Sequence, residues 1–147
     1  NLSILKNVKI VIINGNKEIN FEKKILNINK QLKIFYSHYK PINLAQFKNK
    51  KLLAVAGIGN PENFFQLIEK YNLKIHKKLI FPDHYNFSKA EVQEIVNESK
   101  NKNYQIIMTE KDYFKVNKFN FENINFLKVS LEINEKERLI NLVNSLI

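Results

Sequence analysis

The chain has 147 residues, which is enough for one compact domain with a hydrophobic core. Its sequence contains neither a signal-peptide pattern nor a run approaching the roughly 20 apolar residues of a membrane-spanning helix. The absence of cysteine excludes disulfides and thiolate metal sites, and it fits a reducing cytoplasm. Because the first residue is asparagine, we expect a fragment or domain of something longer.

The net charge of +10 invites a nucleic-acid interpretation, but the composition of the basic residues argues against it. Arg138 is the single arginine, whereas phosphate and base recognition usually depends on the planar arginine fork. Lysine is spread evenly among asparagine and isoleucine, as expected from A/T-rich codons. We therefore predict no nucleic-acid partner, although a basic surface would suit anionic lipid or a phosphorylated substrate.

Apolar runs and turn signals predict strands that alternate with helices along the chain. Strands are predicted over 8–13, 32–39, 52–56, 74–81, 104–108 and 124–133. Helices are predicted over 18–30, 61–71 and 89–101. A helical turn is predicted to begin at Thr109, and a C-terminal helix is predicted to follow a cap formed by Asn134 and Glu137. Ser88 and Glu91 have the spacing of a capping box, and residues 41–51 are interpreted as an exposed polar connection.

This alternation predicts the α/β class, with a three-layer α/β/α Rossmann-like fold and a mainly parallel sheet. We find no internal repeat, low-complexity tract or linker, so residues 1–147 are interpreted as a single domain. In such a sheet, ligands bind outside the carboxyl ends of the strands.

A glycine turn follows the buried strand 52–56 and is the first segment expected at that edge. Gly57 and Gly59 allow a sharp turn and a close approach to a ligand. Asn60 can cap the next helix, and Pro61 suits its first position. The turn is therefore either a ligand-binding element or simply a tight turn with a helix cap.

Asp83 and His84 form the second segment, directly after the predicted strand 74–81. Histidine can exchange protons near neutral pH, and a neighbouring carboxylate can orient or charge it. On an extended segment adjacent side chains point opposite ways, so Asp83 need not contact His84. The pair is either catalytic, or Asp83 bonds a loop backbone and His84 packs at the surface. His38 and His76 are interpreted as structural.

Thr109, Glu110, Lys111 and Asp112 form the third segment, at the start of a predicted helix. Thr109 and Asp112 have the spacing of a helix cap. Lys111 could meet a phosphate at the same place, and the two roles are compatible. Convergence of the three segments predicts a polar ligand-binding edge.

The sequence lacks a complete catalytic apparatus of its own. It contains no P-loop, zinc-ligand spacing or G-x-S-x-G motif. Glu62 occupies the position of the third glycine of a dinucleotide fingerprint, so the glycine turn does not match that motif.

Together the three segments resemble the C-terminal half of the tetraacyldisaccharide 4′-kinase (lipid A 4′-kinase) family. The A-G-I-G-N-P-x-x-F-F, F-P-D-H and T-E-K-D elements of that family match Ala56–Phe65, Phe81–His84 and Thr109–Asp112. The run from Leu5 to Gly15 is also similar to the family segment that leads into this half.

The resemblance implies transfer of the ATP γ-phosphate to the 4′-hydroxyl of a tetraacyl disaccharide 1-phosphate, the lipid A precursor. It implies two α/β/α domains with ATP in the cleft between them, at the cytoplasmic face of the inner membrane. The P-loop, the Mg²⁺ ligands and the aspartate base of the family lie in the N-terminal half, which also provides the membrane contact. The histidine matching His84 works beside that base, so this chain alone is expected to be inactive.

The resemblance assigns the remaining residues to the wall of the cleft. Asp83 accompanies His84 at the catalytic position, and Gly57–Pro61 and Thr109–Asp112 are expected to contact nucleotide or substrate. Tyr85 departs from many members, which carry a second histidine there. A different class stays open, namely a stand-alone domain that binds a nucleotide or a polyanion without catalysis.

Overall fold

Seven strands and five α-helices lie in residues 2–146, the part of the chain that the structure, a computed structural model, describes. The strands are β1 (Ile10–Asn14), β2 (Lys33–Pro41), β3 (Leu52–Ala56), β4 (Ile75–Ile80), β5 (Gln105–Met108), β6 (Ile124–Phe126) and β7 (Val129–Ile133). The helices are α1 (Ile19–Ile28), α2 (Pro61–Lys70), α3 (Lys89–Lys102), α4 (Glu110–Val116) and α5 (Lys136–Asn144). Short 3₁₀ helices occur at Leu2–Asn7, Leu44–Phe47 and Asn117–Phe119.

The chain divides into two compact units. Unit 1 contains Asn1–Lys40 and Ser130–Ile147, and unit 2 contains Pro41–Val129. The strands form two sheets rather than the one sheet that the alternation suggested, with orders β1-β2-β7 and β4-β3-β5-β6. The interpretation as a single domain stays a prediction.

The four-stranded sheet of unit 2 is parallel and covered on both faces. Strand β3 pairs in parallel with β4 and β5, and β5 pairs in parallel with β6. All five residues of β3 are buried, as expected for a central parallel strand. The α/β class with a parallel sheet is therefore confirmed.

Alternation along β3 separates two apolar clusters, one on each face of this sheet. Leu52, Ala54 and Ala56 pack with the cluster that includes the buried residues of α2. Leu53 and Val55 pack with the cluster that includes the buried apolar residues of α3. Helix, sheet and helix thus form the three predicted layers within unit 2.

Unit 1 contains most of a mixed three-stranded sheet. Strands β1 and β2 are parallel, with Ile12 aligned to Phe35. Strand β7 is antiparallel to β2, because the Asn134 N–H donates to the Tyr36 carbonyl while Ser130 Oγ bonds the Lys40 carbonyl. Helix α1 is tied to β2 by the Tyr36 hydroxyl, which donates to Glu22 at 3.0 Å.

The predicted starts of α2 and α3 are confirmed at the level of hydrogen bonds. Asn60 caps α2 by accepting from the Asn63 N–H at 3.4 Å, with Pro61 at the first position. Ser88 and Glu91 form both bonds of the capping box at α3. In each case the pattern is local, so the sequence contains all the information that the cap requires.

Three sequence-based expectations are wrong. The predicted strand 124–133 is two strands, β6 and β7, in different sheets. The cap of α5 is Glu135, with φ +56° and no side-chain cap bond, rather than Asn134 with Glu137. Within the connection 41–51, Phe47 is buried in the apolar core that also contains α2, so this stretch is anchored rather than fully exposed.

Candidate functional site

The three predicted polar segments meet at the carboxyl edge of the sheet in unit 2. Strands β3, β4 and β5 are parallel neighbours whose last residues lie side by side, with Ala56 aligned to Ile80 and Val55 to Met108. The Phe81 N–H donates to the Ala56 carbonyl at 2.8 Å, which continues the pairing one residue past β4. The polar residues that follow each strand are therefore delivered to one place.

Asp112 is fully buried and joins the glycine turn to the start of α4. Its Oδ2 accepts from the Gly57 N–H and from the Thr109 hydroxyl, both at 2.7 Å. Its Oδ1 accepts from Lys115 Nζ at 2.9 Å. The carboxylate also lies in the first turn of a helix, where the helix dipole favours negative charge. Asp112 therefore links the glycine turn to the segment that begins at Thr109.

Gly57 is required by a close approach to protein atoms, not by an unusual backbone angle. A Cβ at this position would lie 3.2 Å from Asp112 Oδ1 and 3.4 Å from the Pro82 carbonyl oxygen. Its N–H is already bonded to Asp112, so that donor is used within the protein. Gly59 lies beside the second segment, since a Cβ there would be 3.4 Å from Asp83 Oδ2.

Asp83, His84 and Lys111 form an exposed cluster at the same edge, which we call the polar triad. Lys111 Nζ lies 3.1 Å from Asp83 Oδ1 and 3.5 Å from His84 Nε2. His84 Nε2 is 3.8 Å from Asp83 Oδ2. The hydrogen bond from Lys111 is the main reason that the pKa of Asp83 falls below its ordinary value. The triad thus combines a carboxylate, an imidazole and a lysine ammonium.

Asp83 and His84 contact each other, because the chain is not extended at this point. His84 has φ +59°, and the Tyr85 N–H donates to the Pro82 carbonyl, so the chain turns here. The Asp83 side chain also accepts from the His84 N–H at 2.9 Å. This turn brings the two neighbouring side chains to one side.

An aromatic cluster that the sequence analysis did not single out supports this turn. The rings of Phe81, Tyr85 and Phe87 lie with centroids 4.8–5.2 Å apart. The Tyr85 hydroxyl donates to Glu91, which raises the pKa of Tyr85 and lowers that of Glu91. The spacing of aromatic residues around the F-P-D-H element was the available signal. Tyr85 therefore anchors the turn.

The remaining predicted residues occupy the margin of the site. Thr109 caps α4 by accepting from the Asp112 N–H at 3.2 Å, and Glu110 is exposed at the first position of the helix. The two other histidines lie in strands, as predicted. His38 lies 3.6 Å from Glu132, and His76 contacts the Lys74 carbonyl and the Tyr104 ring.

The exposed triad offers three different polar groups to a ligand. Lys111 brings an ammonium group, the kind of group that contacts phosphate oxygens, and this group is paired with Asp83 at 3.1 Å. His84 brings an imidazole, which in proteins commonly serves in acid–base chemistry. Among residues 2–146, no group of three acidic or histidine side chains could hold a metal ion. In the same range, no helix is long and apolar enough to cross a bilayer.

A parallel sheet with helices on both faces and polar residues at its carboxyl edge defines the class, an α/β protein. The sequence matches the family described as Tetraacyldisaccharide-1-P 4′-kinase over residues 1–147. The chain therefore belongs to this family.

Named relatives are consistent with this assignment. The chain is 37% identical over 144 residues to a tetraacyldisaccharide 4′-kinase of Pelagibacter ubique, covering 96% of this chain and 46% of that protein. It is 42% identical over 92 residues to a tetraacyldisaccharide 4′-kinase of Rickettsia felis, covering 63% of this chain and 28% of that protein. The chain thus spans about half or less of the length of the curated relatives it matches.

A solved structure shares the fold. LpxK from Aquifex aeolicus, whose structure was determined in complex with ATP, superposes with a TM-score of 0.55. The match covers 92% of this chain and 51% of that one at 14% identity. At this level of identity the likeness concerns the fold alone.

Proposed function

We propose that the chain is the C-terminal part of a kinase that transfers the γ-phosphate of ATP to the 4′-hydroxyl of tetraacyldisaccharide 1-phosphate. The observation that carries this proposal is the polar triad, Asp83, His84 and Lys111, at the carboxyl edge of unit 2 in a member of this kinase family. In the reaction, the bond from the γ-phosphorus to the bridging oxygen of ATP breaks as a bond to the 4′-oxygen forms. The 4′-hydroxyl proton goes to a base, and ADP leaves.

His84 is assigned the role of orienting or tuning that base. The base, the P-loop and the Mg²⁺ ligands are expected in the part of the longer relatives that this chain does not match. His84 is largely exposed, with 78% of its side chain accessible, so it can face groups supplied from outside the chain. Its Nε2 can then hold a proton beside the reacting hydroxyl.

Lys111 is assigned the role of contacting a phosphate oxygen of ATP or of the product. Phosphoryl transfer depends on positioning and on neutralising negative charge, and a lysine ammonium provides such a charge. Asp83 holds Lys111 beside His84 through the 3.1 Å bond. Gly57–Pro61 and Thr109–Asp112 then form the wall of the nucleotide or substrate cleft, with Asp112 fixing them to each other.

The location of the enzyme is part of the same proposal. We place it peripherally at the cytoplasmic face of the inner membrane, where its lipid substrate would be reached through the part outside this chain. Vesicle flotation with zwitterionic vesicles checks this, because such vesicles do not attract the net charge of +10: we expect the full-length protein to float and this 147-residue chain alone to stay unbound. Equal flotation of the two proteins would contradict the assignment of the membrane contact.

Replacing His84 with alanine in the full-length protein tests the catalytic role. We expect kcat for 4′-phosphorylation to fall about 100-fold, in the range for removal of an acid–base group, with little change in unfolding. His76→Ala is the matched control, because His76 is an exposed histidine on β4 that contacts only the Lys74 carbonyl and the Tyr104 ring among the described residues. Wild-type turnover by His84→Ala would remove His84 from the mechanism.

The alternative is a domain that binds nucleotides or polyanions without catalysis. A cavity of about 660 Å³ in unit 1, lined in part by Lys6, Lys9, Lys30 and Lys33, favours anion binding apart from the triad. The upstream reading frame discriminates between the two functions. A G-x-x-x-x-G-K-[ST] motif before residue 1 supports the kinase, and a start codon at that boundary supports the binding domain.

A further inference from the structure

The cavity of unit 1 has no role in the proposed phosphoryl transfer, yet it concentrates positive charge. Its volume is about 660 Å³, within the range of about 300–1,000 Å³ that is usual for small-ligand sites. Lysine and arginine together make up 24 of the 147 residues of the chain. By contrast, four of the ten residues that line this cavity are lysines, namely Lys6, Lys9, Lys30 and Lys33. We call it the lysine cavity.

The charge of these four lysines is not neutralised within the described part of the chain. Among residues 2–146, no acidic side chain forms an ion pair with any of them, and no acidic residue lines the cavity. Other basic side chains of unit 1 do have acidic partners, since Lys17 pairs with Glu22 and Arg138 pairs with Glu135. Neighbouring ammonium groups repel one another, and an anion bound between them would offset this repulsion.

The side chain of Asn29 fixes the shape of the lysine cavity. Its amide nitrogen donates to the carbonyl oxygens of Leu5 and Val8, both at 3.0 Å. Its Oδ1 accepts from the Gln31 N–H, also at 3.0 Å. These bonds join the chain before β1 to the chain before β2, and each of the two segments carries lysines of the cavity. The cavity is therefore formed before a ligand arrives, which lowers the entropic cost of binding.

The lysine cavity lies at the amino edge of the sheet in unit 1. Lys9 directly precedes β1, and Lys33 is the first residue of the parallel strand β2. The Lys33 N–H donates to the Lys9 carbonyl at 2.9 Å, so the two backbones are adjacent. Ligands of parallel α/β sheets usually bind at the opposite, carboxyl edge. The lysine cavity is therefore separate from any site at the carboxyl edge of this sheet.

One part of the cavity lining is apolar. Helix α5 has an apolar stripe that includes Ile140 and Leu142, and Leu142 lines the cavity together with Leu146. Val8 is the third apolar lining residue. Apolar surface beside the ammonium groups lowers the local dielectric constant and strengthens their attraction for an anion. It also suits the carbon part of a phosphorylated compound.

We propose that the lysine cavity binds a multivalent phosphate anion, which is either a small soluble phosphate compound or the phosphomonoester headgroup of a lipid. Lysine binds phosphate as a point charge, and four ammonium groups match an anion that carries several negative charges. The two sources share this chemistry and differ in whether the phosphate is soluble. The proposal does not rest on the kinase function, so loss of this binding and loss of 4′-phosphorylation are separate results.

Double substitutions in the full-length protein test the proposal. Lys9→Gln with Lys33→Gln removes two charges and keeps Lys30, which follows the end of α1, where the helix dipole alone favours a cation. Lys23→Gln with Lys24→Gln is the matched control, because these exposed lysines of α1 lie outside the cavity lining and lower the net charge equally. The probes are radiolabelled inorganic tripolyphosphate and vesicles that contain phosphatidic acid. Equilibrium dialysis measures binding of the first, and flotation measures binding of the second.

We expect the cavity variant to bind at least one probe about tenfold more weakly than the wild type and the control variant do. Binding of tripolyphosphate elsewhere in the protein is common to all variants and cancels in the comparison. Weaker binding of tripolyphosphate assigns the cavity to a soluble phosphate compound, and weaker binding of the vesicles alone assigns it to a lipid headgroup.

Equal affinities of the two double variants for both probes, whether weakened or not, would overturn the proposal, because net charge rather than the cavity would then attract the anion. Failure of the wild type to bind either probe would also overturn it. Circular dichroism verifies folding, and Lys6→Gln with Lys30→Gln replaces the cavity variant if that variant fails to fold.

Discussion

Unit 1 and unit 2 contain sheets of similar size but differ in how completely they are covered. The two apolar clusters of buried residues lie in unit 2, on opposite faces of its parallel sheet. Among the described residues, unit 1 contributes only Ile25, Leu32 and Phe35 to the buried hydrophobic set. Since burial of apolar surface dominates folding stability, unit 2 should provide most of the stability of this chain.

The difference in burial between the units also explains why the candidate site lies in unit 2. A triad that must hold its geometry needs a rigid support, and unit 2 provides a fully buried β3 and the buried Asp112 beneath it. Unit 1 instead leaves most of its large apolar side chains at least partly exposed. Unit 2 therefore gives the polar triad a buried support, whereas unit 1 has few buried apolar residues.

Truncation of core residues should show the largest difference between the units. Phe65→Ala removes a fully buried ring from unit 2 and should lower the free energy of unfolding by about 3–5 kcal/mol. Ile140→Ala in the exposed stripe of unit 1 should change it by less than about 0.5 kcal/mol in this chain. Urea unfolding followed by circular dichroism measures both. Similar losses would contradict the assigned difference in burial.

Removal of the Asp112 carboxylate should have the next largest effect. Asp112→Ala leaves the Gly57 N–H, the Thr109 hydroxyl and Lys115 Nζ without their acceptor, at a cost of about 3 kcal/mol. Glu110→Ala is the control, because Glu110 is an exposed carboxylate of the same helix turn. Its loss should cost less than about 1 kcal/mol. Equal effects would mean that Asp112 does not join the turn to α4.

The smallest expected effect is a change in the titration of Asp83. The bond from Lys111 lowers the pKa of this carboxyl, so Lys111→Met should raise it toward the ordinary value of about 3.9. A lowered carboxyl pKa contributes stability above the unfolded-state pKa, and this contribution is lost as the pH falls through the folded-state pKa. As the pH falls from about 4 through the folded-state pKa of Asp83, the variant should therefore lose less folding stability than the wild type.

Carbon-detected NMR of the Asp83 carboxyl measures this pKa directly. Lys115→Met is the control, since Lys115 pairs with Asp112 and should leave the titration of Asp83 unchanged. An unchanged pKa in Lys111→Met would show that Lys111 does not hold the carboxylate in solution.

Local patterns were sufficient to predict the fold of unit 2 and the meeting of its polar segments. The apolar run of β3 and the cap at Ser88 depend on neighbouring residues only, and both are confirmed. The convergence of Gly57, Asp83 and Thr109 followed from a parallel sheet, which places the ends of its strands together. The functional roles of these residues stay predictions.

Features that depend on distant contacts could not be derived from the sequence. The apolar run 124–133 gave no sign of the switch between sheets, because β6 pairs with β5 and β7 with β2. The bond from the Asn134 N–H to Tyr36 is likewise invisible in the local pattern, and the predicted cap at Asn134 was wrong. Burial of Asp112 depends on Gly57, 55 positions away.

Hydrogen exchange of this chain, resolved by residue, tests the difference between the units most directly. We predict the slowest amides in β3 and β5 of unit 2, exchanging only by global unfolding. Amides of β1 and α5 in unit 1 should exchange at least tenfold faster, through local opening. Equal protection in β1 and β3 would contradict the conclusion that unit 2 is the complete part of the fold.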